Sequence, residues 1–261
     1  MPDQRAEATA ARPDADDETR DPDWPRRLTA EVFGTFALVF AAAGADVAAH
    51  VSGDQVTAAA RAVAPALMVM ALIYSVGDRS GAHFNPVVTL AFGLKRLVPV
   101  LWLPAYWAAQ LVGAVVAALA LHALFGDAVD AAVSQPKLVD PAAAVAIEAI
   151  LTLLLVSVIV GTADRYRVVG PNAALAVAGT IALCGLIALP IEGASMNPAR
   201  SFGPAVVAGD IGDLWIYVVG PVVGAIGAVL LTRFLHGEKQ RDRKAEEAAQ
   251  GSPKGERPEP A

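Results

Sequence analysis

The chain has 261 residues, a net charge of −6 and 55% hydrophobic residues, with a mean hydropathy of +0.49. That is too apolar for an ordinary soluble domain and puts a membrane reading first. The single cysteine, Cys184, excludes an intrachain disulfide, and the four histidines (His50, His83, His122, His236) lack metal-ligand spacing.

Residues 1–24 hold eight acidic and three basic side chains without apolar periodicity, so residues 1–25 are expected to be a disordered tail. The acidic start is unlike a cleavable signal peptide, which begins basic. Six apolar stretches follow: 28–49, 62–77, 100–125, 142–161, 172–190 and 214–235. Each approaches the roughly 20 residues that a spanning helix needs. A soluble Ala-rich bundle is the alternative, and the near-absence of charge inside the stretches argues against it. Residues 237–261, with six acidic and six basic side chains, are expected to be a second disordered tail. The body at 26–236 is then one domain, with halves at about 26–125 and 141–236.

Lys and Arg near the span ends divide unevenly. One side carries Arg26, Arg27, Arg79, Lys95, Arg96, Arg165, Arg167 and Arg233; the other carries Arg61 and Lys137. The positive-inside rule then puts both termini in the cytoplasm of a multi-pass cell-membrane protein.

The two halves resemble one another. Glu31 is followed by Gly44 and Glu148 by Gly161, at the same spacing, and each half contains Gly-Ala-x-x-Asn-Pro, at Gly81 and at Gly193. Three crossings per half invert the second copy, and inverted repeats place a shared pathway at their interface. The apolar residues after each Asn-Pro, 87–94 and 199–208, are too few to cross. They suit half-helices, with Asn as cap and Pro at the first helical position. The segments 81–84 and 193–196 are expected to be extended backbone whose carbonyls line water, with the Asn85 and Asn197 amides as donors at the middle. The expected fold is all-α: six transmembrane helices and two re-entrant half-helices in an inverted repeat.

The motifs SGAHFNPV and GASMNPAR, with Glu31 and Glu148 in the first span of each half, resemble those of the aquaporin and glycerol-facilitator family, the major intrinsic proteins. The resemblance covers about residues 26–236. One departure is Val87, where the family usually has Ala. The resemblance implies a homotetramer in membrane lipid, one pore per subunit, and passive flow of water or small neutral solutes without ions or protons. It assigns the pore motifs to Asn85, Pro86, Val87, Asn197, Pro198 and Ala199. It assigns the constriction to positions near Pro65, Gly185, Ala194 and Arg200. The aromatic ring and histidine of water-selective relatives are absent from the windows around Pro65 and Gly185, which implies a wider filter that passes glycerol, urea or similar solutes. Ser201 and Ala205, by contrast, are as in the water channels, so a strictly water-selective channel is the alternative.

Glu31 and Glu148 are intramembrane carboxylates and functional suspects. The expected role is loop support rather than gating, and His83 is read the same way. A secondary transporter would want such groups at the midplane, but both sit early in their spans. Trp102, Tyr106, Trp107, Trp215 and Tyr217 read as interface anchors or packing residues. Gly113, Gly179, Gly220 and Gly224 suit close helix packing. No nucleophile–base set, metal site, cofactor site or nucleic-acid patch is expected.

Overall fold

The computed structural model describes residues 23–164, 172–236 and 243–251. Its described elements are helical: α1 (Trp24–Val51), α2 (Ala58–Ser80), α3 (Pro86–Leu94), α4 (Leu103–Phe125), α5 (Pro141–Asp164), α6 (Ala173–Glu192), α7 (Pro198–Ala208), α8 (Ile216–His236) and α9 (Arg243–Gln250). Short 3-10 turns precede and follow α4, at Val100–Trp102 and Gly126–Ala132.

Helices α1, α2, α4, α5, α6 and α8 are long and apolar enough to cross a membrane. Large apolar side chains such as Phe33, Leu67, Val112, Ile150, Leu183 and Leu230 are exposed on their outer faces. In water such a surface would be a liability; against lipid it is the proper solvent contact. Helices α3 and α7 have 9 and 11 residues. At 1.5 Å per residue each reaches about half of a ~30 Å hydrocarbon core. Pro86 and Pro198 start them, and their caps Asn85 and Asn197 accept backbone N–H groups through their side chains.

Packing follows the repeat. In the first half α1 packs on α4; in the second α5 packs on α8; α2 against α6 joins the halves. Glycine makes these approaches possible. A Cβ at Gly113 would fall on the Val32 carbonyl, and one at Gly224 on the Ala149 carbonyl. Small residues therefore let backbones meet where lipid supplies no hydrophobic drive. Gly179 departs from expectation: nothing lies within 4 Å of the position a Cβ would take.

The second tail also departs from expectation. Residues 243–250 form α9, with Ala245 and Ala249 buried against the bundle. The Gln250 amide donates to the Leu97 carbonyl at 2.8 Å, and Arg27 donates to the Gln250 carbonyl. Ala and Glu favour helix, and two small alanines allow close docking. The first tail up to residue 22, and Arg165 and Arg167, lie outside the described residues.

Candidate functional site: two loops and one cavity

The segments before the Asn-Pro pairs are not simply extended. Gly81, Ala82 and Phe84 have φ of 86°, 52° and 48°; Gly193, Ala194 and Met196 have 104°, 46° and 53°. Left-handed Ala, Phe and Met cost about 1–2 kcal/mol each. Such a conformation persists only where its surroundings enforce it.

The enforcement comes from the two span carboxylates. Glu31 on α1 accepts from the His83 N–H at 3.0 Å and the Phe84 N–H at 2.8 Å. It also accepts from the Ser80 hydroxyl at 2.6 Å and the Gln110 amide at 2.8 Å. Glu148 on α5 accepts from the Ser195 N–H at 2.5 Å and the Met196 N–H at 2.7 Å. These are charge-assisted bonds to the backbone of the strained turns. His83 reaches Thr89 Oγ1 at 3.0 Å and the Ala249 carbonyl at 2.8 Å, tying the first loop to α3 and α9.

The loops also hold each other. Asn85 Nδ2 donates to the Met196 carbonyl at 2.8 Å, and Asn197 Nδ2 donates to the Phe84 carbonyl at 2.9 Å. Their Oδ1 atoms accept from Val87 N–H and from Ala199 N–H, both at 3.0 Å. An amide nitrogen carries two hydrogens. One on each Asn is committed across the loops, which leaves one for the cavity that both residues line.

That cavity has a volume of about 410 Å³ and also receives Pro65, Gly185, Ala194 and Arg200. Val87 does not reach it: the side chain is 1% exposed and packs in the core with Phe92 and Tyr106. Helical phase explains this correction. Successive residues turn by about 100°, so the second residue after the Asn cap points away and the third returns. Val88 and Arg200, third after Asn85 and Asn197, line the cavity; Ala199, second after Asn197, is fully buried elsewhere. Pro86 and Pro198 start the half-helices and are likewise off the cavity wall.

Among the positions expected to form the constriction, Arg200 donates through Nη1 to Ser134 Oγ at 2.6 Å and through Nη2 to Asp46 Oδ2 at 3.3 Å. Asp46 Oδ1 accepts from Arg61 Nη1 at 3.3 Å. Pro65 lies inside α2 and has no N–H to offer the Arg61 carbonyl, which therefore lacks its helical donor. Gly185 faces Ala62: a Cβ there would meet the Ala62 Cβ at 2.9 Å. The missing side chain thus also lets α6 approach α2. At the far end the cavity meets Asp78, Gly81, His83, and Glu247 and Ala248 of α9.

Several of these residues were not foreseen. Tyr106 and Tyr217 are fully buried, and their hydroxyls donate to the Ser80 and Glu192 carbonyls, just before each loop. A signal existed: each tyrosine stands seven residues before a close-packing glycine, Gly113 or Gly224. Trp107 donates to the Pro86 carbonyl at 3.0 Å, while Trp215 is half exposed. Asp46 was a carboxylate inside an apolar stretch and carried its own warning. Among the described residues no cluster of His, Cys, Asp and Glu could hold a metal ion.

Comparison with known proteins follows the same lines. The family profile described as Major intrinsic protein matches residues 18–232. The chain is 44% identical over 201 residues to Aquaporin NIP1-1 of Oryza sativa subsp. japonica, covering 77% of this chain and 71% of that one. It is 41% identical over 202 residues to Nodulin-26 of Glycine max, covering 77% and 74%. Among solved structures, the aquaglyceroporin from Plasmodium falciparum aligns with a TM-score of 0.70 at 23% identity, over 80% of this chain and 94% of that one. At that identity the likeness speaks for the fold.

Proposed function

This chain belongs to the major intrinsic protein family, and from that premise we propose a passive channel for water and small neutral solutes of the size of urea or glycerol. It is a membrane protein with six spans and a channel rather than an enzyme. The observation that carries the wide-filter reading is the composition of one cavity. Pro65, Gly185 and Ala194 meet Arg200 there without an aromatic ring or histidine among the four, and the same cavity reaches Asn85 and Asn197.

The water-channel-like residues do not weigh against it. Ser201 hydrogen-bonds Ser134 and Ser195, at 2.7 and 2.6 Å, and neither Ser201 nor Ala205 lines the cavity. A residue that does not touch the path cannot sieve the solute directly. Nor does a coupled transporter fit. Glu31 and Glu148 lie off the cavity and are engaged with the loops.

In this reading the N-termini of α3 and α7 direct two positive helix ends at the midplane, which disfavours cations there. Glu31, Glu148 and His83 support the loops, and Arg200 stands at the outer side. The protein sits in the cell membrane as a homotetramer with both termini in the cytoplasm; the basic span ends and the family's usual assembly support this.

Stopped-flow swelling of proteoliposomes tests the reading. Water, urea and glycerol should all permeate. Water flow without urea or glycerol flux would replace the wide filter by a strictly water-selective one. Gly185→His should lower urea and glycerol flux about tenfold or more, since the ring has to share space with Ala62.

A further inference from the structure

The outer mouth holds three charged side chains, and they are not equally placed. Arg61 and Arg200 line the cavity, whereas Asp46 stands behind them, 6% exposed. Each carboxylate oxygen of Asp46 takes one guanidinium, Oδ2 from Arg200 and Oδ1 from Arg61, both at 3.3 Å. A carboxylate in contact with Arg200 offsets the field that Arg200 presents to a passing ion, since the two opposite charges act at nearly the same distance. With Asp46 and Arg200 alone the mouth would be close to neutral.

Arg61 reverses that. It stands one helical turn before Pro65 on α2, on the same face, and reaches toward the space left beside that residue. Its Nε is buried and, among the described residues, has no acceptor. That nitrogen is closed off; the terminal nitrogens of the same guanidinium, on a side chain 20% exposed, are what a passing oxygen can meet. Other charges do not do this work. Lys137 acts on Asp46 from an exposed loop position. Glu148 and Glu192 do not line the cavity, and both Glu148 oxygens are engaged by the second loop.

We propose that Arg61 is a fifth, specificity-determining residue of the constriction: it restores the positive charge that Asp46 takes from Arg200 and donates to the carbonyl or hydroxyl oxygen of a neutral solute. The proposal rests on the channel reading above. Within it, Asp46 is the positioning residue that holds both guanidinium groups at the wall. The solute class is small, uncharged and rich in oxygen acceptors, and cations of the same size are turned away at the mouth.

The test compares urea with methylammonium, a cation of similar size, in one set of proteoliposomes. Urea flux through the unaltered chain tests the channel reading by itself. The ratio of methylammonium to urea flux tests the role of Arg61. Arg61→Gln, which keeps an amide near Asp46 and loses the charge, should raise the ratio about tenfold. Arg61→Lys should hold it at the unaltered value. The double variant Asp46→Asn with Arg61→Gln should bring it back, because Arg200 is then no longer offset. An unchanged ratio in Arg61→Gln overturns the inference, and so does a double variant that leaks as much as the single one. Asp46→Asn by itself leaves two unopposed guanidinium groups and should lower the ratio; a ratio that does not fall overturns the inference even if Arg61→Gln does not assemble.

Discussion

The two re-entrant loops have nearly the same backbone but rest on different beds. The repeat keeps a carboxylate (Glu31, Glu148), a tyrosine hydroxyl on the carbonyl before the loop (Tyr106, Tyr217) and the crossed asparagines. It changes two supporting positions. Ser80, before Gly81, becomes Glu192, before Gly193; Gln110, three before Gly113, becomes Pro221, three before Gly224. The second change removes a donor; the first replaces a hydroxyl by a carboxyl group hydrogen-bonded to Glu148. Glu31 accepts from four groups, while Glu148 accepts from two N–H groups and shares a hydrogen bond with a second buried carboxyl group, that of Glu192. The first loop is thus held by a saturated acceptor. The second rests on two backbone bonds and a carboxyl pair, and it leads into α7, which brings Arg200 to the ion cluster. The backbone of a loop can be reproduced by two hydrogen bonds; the rest is free to vary.

The largest effect should come from removing the saturated acceptor. Glu31→Ala strands the Ser80 hydroxyl, two loop N–H groups and the Gln110 amide in a buried site. Each stranded group costs about 1–3 kcal/mol. The expected result is a channel that loses solute flux and most of its thermal stability in detergent. If Glu31→Ala melts within a few degrees of the unaltered chain, the carboxylate does not enforce the left-handed turns. Gln110→Leu is the milder version. It removes the bond to Glu31 and a second one to Thr89 Oγ1 at 3.0 Å, and should cost about 1.5–3 kcal/mol, read as a lower Tm with flux retained. No counterpart of this effect is available in the second loop, because Pro221 donates nothing there.

Much of this architecture was legible in the sequence, and the limits have physical causes. The spans 28–49 and 142–161 fall within α1 and α5 because hydropathy is a local property. The half-helices were legible for the same reason: Asn-Pro caps a helix whatever surrounds it. Left-handed Ala82, Phe84, Ala194 and Met196 were not legible, since only glycine advertises a positive φ. Val87 was placed at the pore by its position in the family's Asn-Pro motif, and helical phase turned it into the core. The Asp46–Arg61–Arg200 cluster joins α1, α2 and α7, and nothing in their local patterns specifies that meeting. Residues 243–250 read as a tail because their polar composition outweighed two alanines that happen to match a docking face.

The smallest effect is the one that sharpens the contrast between the loops most. Glu192→Ser writes the first loop's chemistry into the second. At present Glu192 Oε1 accepts from the Ala194 N–H at 2.9 Å, and its carboxyl group is hydrogen-bonded side by side with that of Glu148. In the first loop the Ser80 hydroxyl does both jobs at once: it accepts from the Ala82 N–H at 3.2 Å and donates to Glu31 at 2.6 Å. A serine at 192 should therefore keep the Ala194 bond and offer Glu148 a hydroxyl donor in place of the second carboxyl group. The gain should be about 1 kcal/mol. For a chain of this size that is a rise of about 2–4 °C in Tm. A fall in Tm would mean that Glu192 contributes through its pairing with Glu148 rather than through the bond to Ala194. The difference between the loops would then be a requirement of the second loop, not slack in its support.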